Sequence, residues 1–205
     1  MKIIIASNNE NKIKEIKDIV SALRPNDEVV SMSEIGFGAD IYEYGNTFSE
    51  NSSIKAKSLL HYLENSKVFN EDEFVVLADD SGLCVNALNG APGVMSARYA
   101  DDHNDIANNW KLLSKMAHKS DRSAYFITVV KGYYKNKDIV KDISGVGRIY
   151  GTITTSFIGE NGFAYDPLFF VDSANKTFAE MNEKEKNTFS HRRIAFEEAI
   201  KNING

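Results

Sequence analysis

Two acidic side chains stand side by side in Ala78-Asp79-Asp80-Ser81-Gly82, directly after the apolar run Phe74 to Ala78. Carboxylates crowded at the end of such a run are unfavourable unless a cation or a positive neighbour compensates them. A small set of oxygen donors suits Mg²⁺, which keeps several waters and binds substrate phosphates directly. One acid could hold the metal while the other takes a proton from an attacking water. Asp-Ser-Gly is also good turn chemistry, so the local sequence supports a site and a plain turn about equally.

Four other polar clusters could join that chemistry. Ser7-Asn8-Asn9-Glu10-Asn11-Lys12 lies between an apolar run and a helical pattern. Backbone N–H groups at a helix start favour an anion, and Lys12 adds a charge. The glycines of a Walker A loop are missing, and a simple capping loop is the alternative. Glu43, in Glu43-Tyr44-Gly45-Asn46-Thr47-Phe48, is a loop acid that could ligate a metal or merely be solvated. Asn51 and Lys55 are four residues apart and share a helix face, so Lys55 can reach the same anion as Lys12.

Gly162-Phe163-Ala164-Tyr165-Asp166-Pro167 brings aromatics and an acid into one loop. Such a platform stacks on a base at about 1–3 kcal/mol per base; packing on the core is the alternative. Lys186-Asn187-Thr188-Phe189-Ser190-His191-Arg192-Arg193 puts basic groups at a helix start, against the dipole. An anionic or carbonyl-rich ligand would relieve that conflict, and a solvated basic patch is the alternative.

The elements that must position these residues read as α/β. Residues 3–6 form a short strand. Ile13, Ile16, Val20 and Leu23 recur at helical spacing until Arg24-Pro25. Val29 to Ile35 reads as a second strand. Thr47-Phe48-Ser49-Glu50 is a capping box for a helix to about Leu63. Phe74 to Ala78 is a central strand that ends at the acids, and Leu83 to Val85 resumes as another. Residues 103–118 form a helix with Ile106, Trp110, Leu113 and Met116 or Ala117 inward. Tyr125 to Tyr134 and residues 138–157 read as strands. Phe196, Ile200 and Ile203 mark a helix after Ser190, a natural N-cap. A mixed, curved sheet with flanking helices is expected.

Bulk properties narrow the classes. The 205 residues, 42% hydrophobic and 26% charged, suit one globular domain. A net charge of −5 argues against a nucleic-acid polymer as partner, without excluding a small phosphorylated ligand. The single cysteine, Cys84, rules out a disulfide framework and a Cys-rich zinc site, and reads as buried core. The apolar start is too short for a signal-peptide core, and no stretch nears the ~20 apolar residues of a membrane span. A cytoplasmic location is expected.

Taken in order, the clusters resemble the Ham1/RdgB family, the inosine/xanthosine triphosphate pyrophosphatases. The matching stretches are SNNENKIKEI, EYGNTFSENSSIKAK, LADDSGLCVNALNGAPGVMSARYA, GFAYDPLFF and KNTFSHRRIA, spanning residues 7 to 195. The resemblance implies one bilobed domain around a deep cleft, a homodimer, and Mg²⁺-dependent hydrolysis of ITP, dITP or XTP to the monophosphate and pyrophosphate. Ser7, Asn8, Asn9, Glu10, Asn11 and Lys12 would then cradle the triphosphate, with Lys55 assisting. Glu43 and Asp80 would hold Mg²⁺; Asp80, with Asp79 close by, would be the proton acceptor, and Ser81 would touch substrate. Phe163 would stack on the base beside Ala164, Tyr165 and Asp166. Lys186, His191 and Arg192 would read its edge.

N–H donors at the 6-position match a keto oxygen and oppose an amino group. The chain departs from the family pattern at Ser52, Met95 and Asp101, and at Ala164, where glycine is usual. If residue 164 needs a positive φ, the added methyl strains the loop. A Maf-like pyrophosphatase of modified pyrimidine nucleotides and a non-catalytic nucleotide sensor are the alternatives.

Overall fold

The computed structural model describes residues 1–66 and 69–203. In chain order the elements are β1 (Lys2–Ile5), α1 (Glu10–Leu23), β2 (Glu28–Ser31), α2 (Phe48–Asn65), β3 (Glu73–Val85), α3 (Asp105–Met116), β4 (Ser123–Asn136), β5 (Ile139–Ile153), β6 (Phe169–Val171), β7 (Lys176–Thr177), α4 (Glu183–Phe189) and α5 (His191–Lys201), with short 3₁₀ turns between. The strands form one seven-stranded sheet in the order β2-β1-β3-β4-β5-β6-β7. It is mixed, as expected: β1 pairs in parallel with β2 and β3, and β6 pairs antiparallel with β5 and β7.

The chain divides into two compact units. Residues 1–80, 128–147 and 192–205 make unit 1; residues 81–127 and 148–191 make unit 2. In unit 1, Ile3, Ile5, Val75 and Leu77 pack with Ile16, Val20, Phe196 and Ile200 of α1 and α5. Ile4, Phe74, Val76 and Ala78 pack with Ala56, Leu59 and Leu63 of α2. Successive strand residues point to opposite faces. That alternation explains why residues 3–5 of β1 and 74–78 of β3 are apolar at every position: both faces are covered. In unit 2, Leu83, Val85, Leu112, Met116, Phe126, Phe169 and Phe178 form the core. Its rings meet edge-on (Phe126 and Phe169, centroids 4.8 Å apart) or stacked (Phe169 and Phe178, 5.3 Å), both favoured geometries.

Three sequence expectations are corrected. β3 does not stop at the acids; it runs unbroken from Glu73 to Val85, and no turn forms at Asp79-Asp80-Ser81-Gly82. β2 ends at Ser31 instead of reaching Ile35, because the Glu34 carboxylate folds back onto the Ser31 N–H (2.6 Å) and hydroxyl (2.7 Å). On α3, Ile106 and Trp110 are exposed, while Asn108, Asn109, Leu112 and Met116 are buried. Asn108 explains part of this. Its Oδ1 accepts from the Ala100 N–H and its Nδ2 donates to the Ala97 carbonyl, so burial leaves its amide satisfied. Cys84 is buried, and burial raises its thiol pKa.

Candidate active site

The period-two alternation of β3 decides what the two acids meet. Asp79 continues the Val75–Leu77 row and emerges on the α1/α5 face. Its Oδ2 lies 3.3 Å from Lys12 Nζ of α1 and 3.8 Å from Arg192 Nε of α5. Asp80 continues the Val76–Ala78 row and emerges toward α2, where Asn51 Nδ2 donates to its Oδ2 at 3.1 Å. Both acids are buried, Asp79 to 1% exposure and Asp80 to 8%. Burial pushes the Asp80 carboxyl up to about 6, against the pull of Lys55, Lys12 and the Asn51 hydrogen bond; the Glu43 charge adds to the rise. The two acids therefore differ in kind. Asp79 is held between cations, and Asp80 is poised near neutrality.

The capped start of α2 supplies further groups around Asp80. Thr47 Oγ1 accepts the Glu50 N–H, and Glu50 accepts the Asn46 and Thr47 N–H groups, so the capping box forms as expected. Asn51 follows directly. Its Oδ1 accepts the Gly45 N–H at 2.8 Å while its Nδ2 holds Asp80. One amide thus ties the loop carrying Glu43 to Asp80. A Cβ on Gly45 would come within 2.6 Å of Asn51 Oδ1, so this approach requires glycine. One turn along, Lys55 Nζ lies 3.1 Å from Glu43.

The loop ahead of α1 is built as a cap. Asn9 accepts the Lys12 N–H at 3.0 Å, Ser7 Oγ accepts the Asn9 N–H, and Asn8 donates to Asp40. Glu10 and Asn11 lie exposed in the first turn. Lys12 is the member of this segment that reaches the acids.

Unit 2 assembles the aromatic cluster. Asp166, 4% exposed, accepts the Phe163 N–H at 2.8 Å and the Lys186 ammonium at 2.6 Å. Lys186 Nζ also stands 4.6 Å over the Phe163 ring, within cation–π range. A Cβ on Gly162 would strike Asp166, which explains the glycine there, at φ +79. Ala164 adopts φ +54, the left-handed region the sequence had flagged. The α4 helix, absent from the sequence reading, carries Lys186 and is opened by an Asn182–Glu185 capping box. His191 is 5% exposed and stacks on Phe126, with centroids 4.9 Å apart.

Two expected positions change character. Tyr165 is fully buried and its hydroxyl donates to the Ser96 carbonyl at 2.8 Å, so it supports the loop from beneath; burial raises its pKa. Arg192 belongs to unit 1, where its guanidinium pairs with Glu15 and approaches Asp79. Ser81 is half-buried beside Asp80. Sequence reasoning missed the bridging role of Asn51 and the part of Glu15. The first had a signal, a polar residue one turn before Lys55 behind a capping box.

Among the described residues no three His, Cys, Asp or Glu side chains cluster as a metal cage. The oxygen pair Glu43 and Asp80, with Glu43 raising the Asp80 pKa, fits a hard cation that keeps most of its own waters.

The Ham1 family model matches residues 3–202. A dITP/XTP pyrophosphatase of Clostridium perfringens is 46% identical, covering 100% of this chain and 98% of its own length. A similar protein from Leuconostoc mesenteroides, also named dITP/XTP pyrophosphatase, is 46% identical over 99% and 96%. The solved structure of the Staphylococcus aureus Ham1 protein superposes with a TM-score of 0.80 at 38% identity, covering 100% of both chains.

Proposed function

The chain belongs to the Ham1 family, and on that footing we propose that it hydrolyses non-canonical purine nucleoside triphosphates such as dITP and XTP to the monophosphate and pyrophosphate. The observation that carries the chemistry is Asp80: a buried carboxyl raised to about 6, hydrogen-bonded by Asn51 and faced by Lys12, Lys55 and Glu43. The relatives from Clostridium perfringens and Leuconostoc mesenteroides, both dITP/XTP pyrophosphatases, carry the substrate class.

In this reading water attacks the α-phosphorus, the α–β anhydride bond breaks, and pyrophosphate leaves. Asp80 takes the water's proton, a task suited to a base poised near neutral pH. Glu43 and Asp80 would hold Mg²⁺, which supplies charge neutralisation on the phosphates and a lower pKa for the attacking water. Lys12 and Lys55 offset charge on the leaving pyrophosphate. Asp79, fixed between Lys12 and Arg192, sets where those cations stand.

In the same reading Phe163 stacks on the base, and Lys186, His191 and Arg192 present N–H donors to a keto oxygen. An amino group there would leave donor facing donor, a loss of about 1–3 kcal/mol per buried group. A cytoplasmic homodimer completes the proposal. No helix among the described residues is long and apolar enough to cross a membrane.

The test is turnover of dITP and ATP with Mg²⁺, reading pyrophosphate. Fast release from dITP and slow release from ATP is expected. Equal rates, or orthophosphate as sole product, overturn the reading. A modified-pyrimidine triphosphate in the same panel separates out the Maf-like alternative.

A further inference from the structure

Ala164 is the one residue with a side chain in the Gly162–Pro167 loop whose φ is positive, at +54. A Cβ disfavours that conformation, so surrounding contacts must hold it. Both backbone polar groups of Ala164 are held by side chains of α3. Its N–H donates to Asp105 Oδ2 at 2.7 Å, and its carbonyl accepts from Asn109 Nδ2 at 2.7 Å. Asp105 and Asn109 are one helical turn apart and so share a face. Each end of the strained residue meets the group it needs, a carboxylate for the N–H and an amide donor for the carbonyl.

The neighbouring residue is Phe163, whose own N–H is taken by Asp166. The backbone on both sides of the Phe163–Ala164 peptide is thus bound to side chains, and the direction of the Phe163 ring follows from it. Asn109 is 2% exposed, and it lies on the face of α3 that an apolar stripe would have filled.

We propose that Asp105 and Asn109 are positioning residues for the base subsite, holding Ala164 left-handed and thereby aiming the Phe163 ring. The proposal rests on the reading of Phe163 as the stacking residue. Neither α3 side chain touches substrate. A glycine at 164 adopts this conformation without a Cβ penalty; with alanine in place, the conformation depends on the α3 clamp.

The experiment compares wild type with Asp105→Ala, Asp105→Asn, Asn109→Ser, Phe163→Ala and the double change Asp105→Ala with Ala164→Gly. Steady-state kcat and KM are measured on dITP, and inhibition by tripolyphosphate reports the part of the site that needs no base. Asp105→Ala and Asn109→Ser should raise the KM for dITP on the order of three- to tenfold, leaving kcat and the tripolyphosphate inhibition constant within about twofold. Asp105→Asn, which keeps the acceptor, should behave as wild type, and glycine at 164 should recover part of the loss in Asp105→Ala. If Phe163→Ala raises KM while both α3 variants leave it unchanged, the proposal falls and the stacking reading stands. Weaker tripolyphosphate inhibition in parallel with KM also overturns it, since the damage is then general. If Phe163→Ala leaves KM unchanged, the stacking reading fails and takes the proposal with it. Should Asp105→Ala not fold, Asn109→Ser decides the same question.

Discussion

Asn51 Nδ2 lies 3.1 Å from Asp80 Oδ2, and the opposite end of the same amide takes the Gly45 N–H at 2.8 Å. A side chain with one donor end and one acceptor end is required, because a carboxylate faces one side and an N–H the other. Asn51→Asp keeps the shape and sets two carboxylates against each other. Outer partners of this kind are worth about 10–100-fold in metal affinity or activity. Asn51→Asp should therefore lower kcat on dITP by that order and raise the Mg²⁺ concentration needed for half-maximal rate. Titrating activity with Mg²⁺ checks this, and an unchanged Mg²⁺ dependence would falsify the bridging role.

Asp80 gives a second prediction, on stability. Its folded pKa of about 6 lies above the ordinary carboxylate value of 3.8. The folded state then binds the proton more tightly than the unfolded state, so stability falls as pH rises from about 4 to about 6 and levels off above. For this mostly buried group the fall is on the order of 3 kcal/mol in metal-free protein. Asp80→Asn should remove it. Mg²⁺ at a hundredfold excess over its Kd should raise the wild-type Tm by about 5–10 °C and leave Asp80→Asn unmoved. Thermal melts across pH, with chelator or with Mg²⁺, read both effects.

Glu34 has the opposite sign. The Lys17 ammonium at 2.6 Å and the Ser31 N–H and hydroxyl hold its carboxyl down to about 2, against 4.5 for an ordinary glutamate. It contributes stability above about pH 4.5 that is lost as pH falls toward 2. Glu34→Gln should show a smaller drop in urea midpoint than wild type between about pH 5 and pH 2, with activity at neutral pH unchanged. Parallel midpoints for the two proteins would rule the contribution out. Glu34 is half exposed, so screening keeps the effect small.

Ala164→Gly sets two opposing terms against each other. Relief of the left-handed alanine is worth about 1–2 kcal/mol, and the added freedom of glycine in the unfolded chain costs about 0.5–1 kcal/mol. The relief wins, and a net gain of up to roughly 1 kcal/mol in urea unfolding is expected. A net loss would mean that residue 164 is not left-handed in solution.

What was legible in the sequence was whatever a segment does with its own neighbours. Asn9 and Thr47-Glu50 announce the helix starts because capping closes within four residues. The apolar runs of β1 and β3 announce strands covered on both faces. Partners remote in sequence left no such mark. Arg192 stands in a basic cluster in the sequence, and its partner Glu15, 177 residues away, is visible only in the fold. Asn108 and Asn109 break the expected apolar stripe of α3 because they serve backbone groups at Ala97, Ala100 and Ala164. Ser81 and Gly82 look like a turn, yet sheet pairing carries β3 straight through them. The unbroken strand sends Asp79 and Asp80 to opposite faces.

The chain passes between its two units four times, at residues 80/81, 127/128, 147/148 and 191/192. Synthesis on the ribosome therefore delivers all of unit 2 before Arg192 and the rest of α5 are made. Unit 1 cannot finish its core until Phe196 and Ile200 emerge, nor set Asp79 until Arg192 arrives. The acidic cluster of unit 1, begun with the first strand, is the last to be completed. A nascent chain halted after His191 would hold every residue of the aromatic cluster, with Asp79 still lacking Arg192.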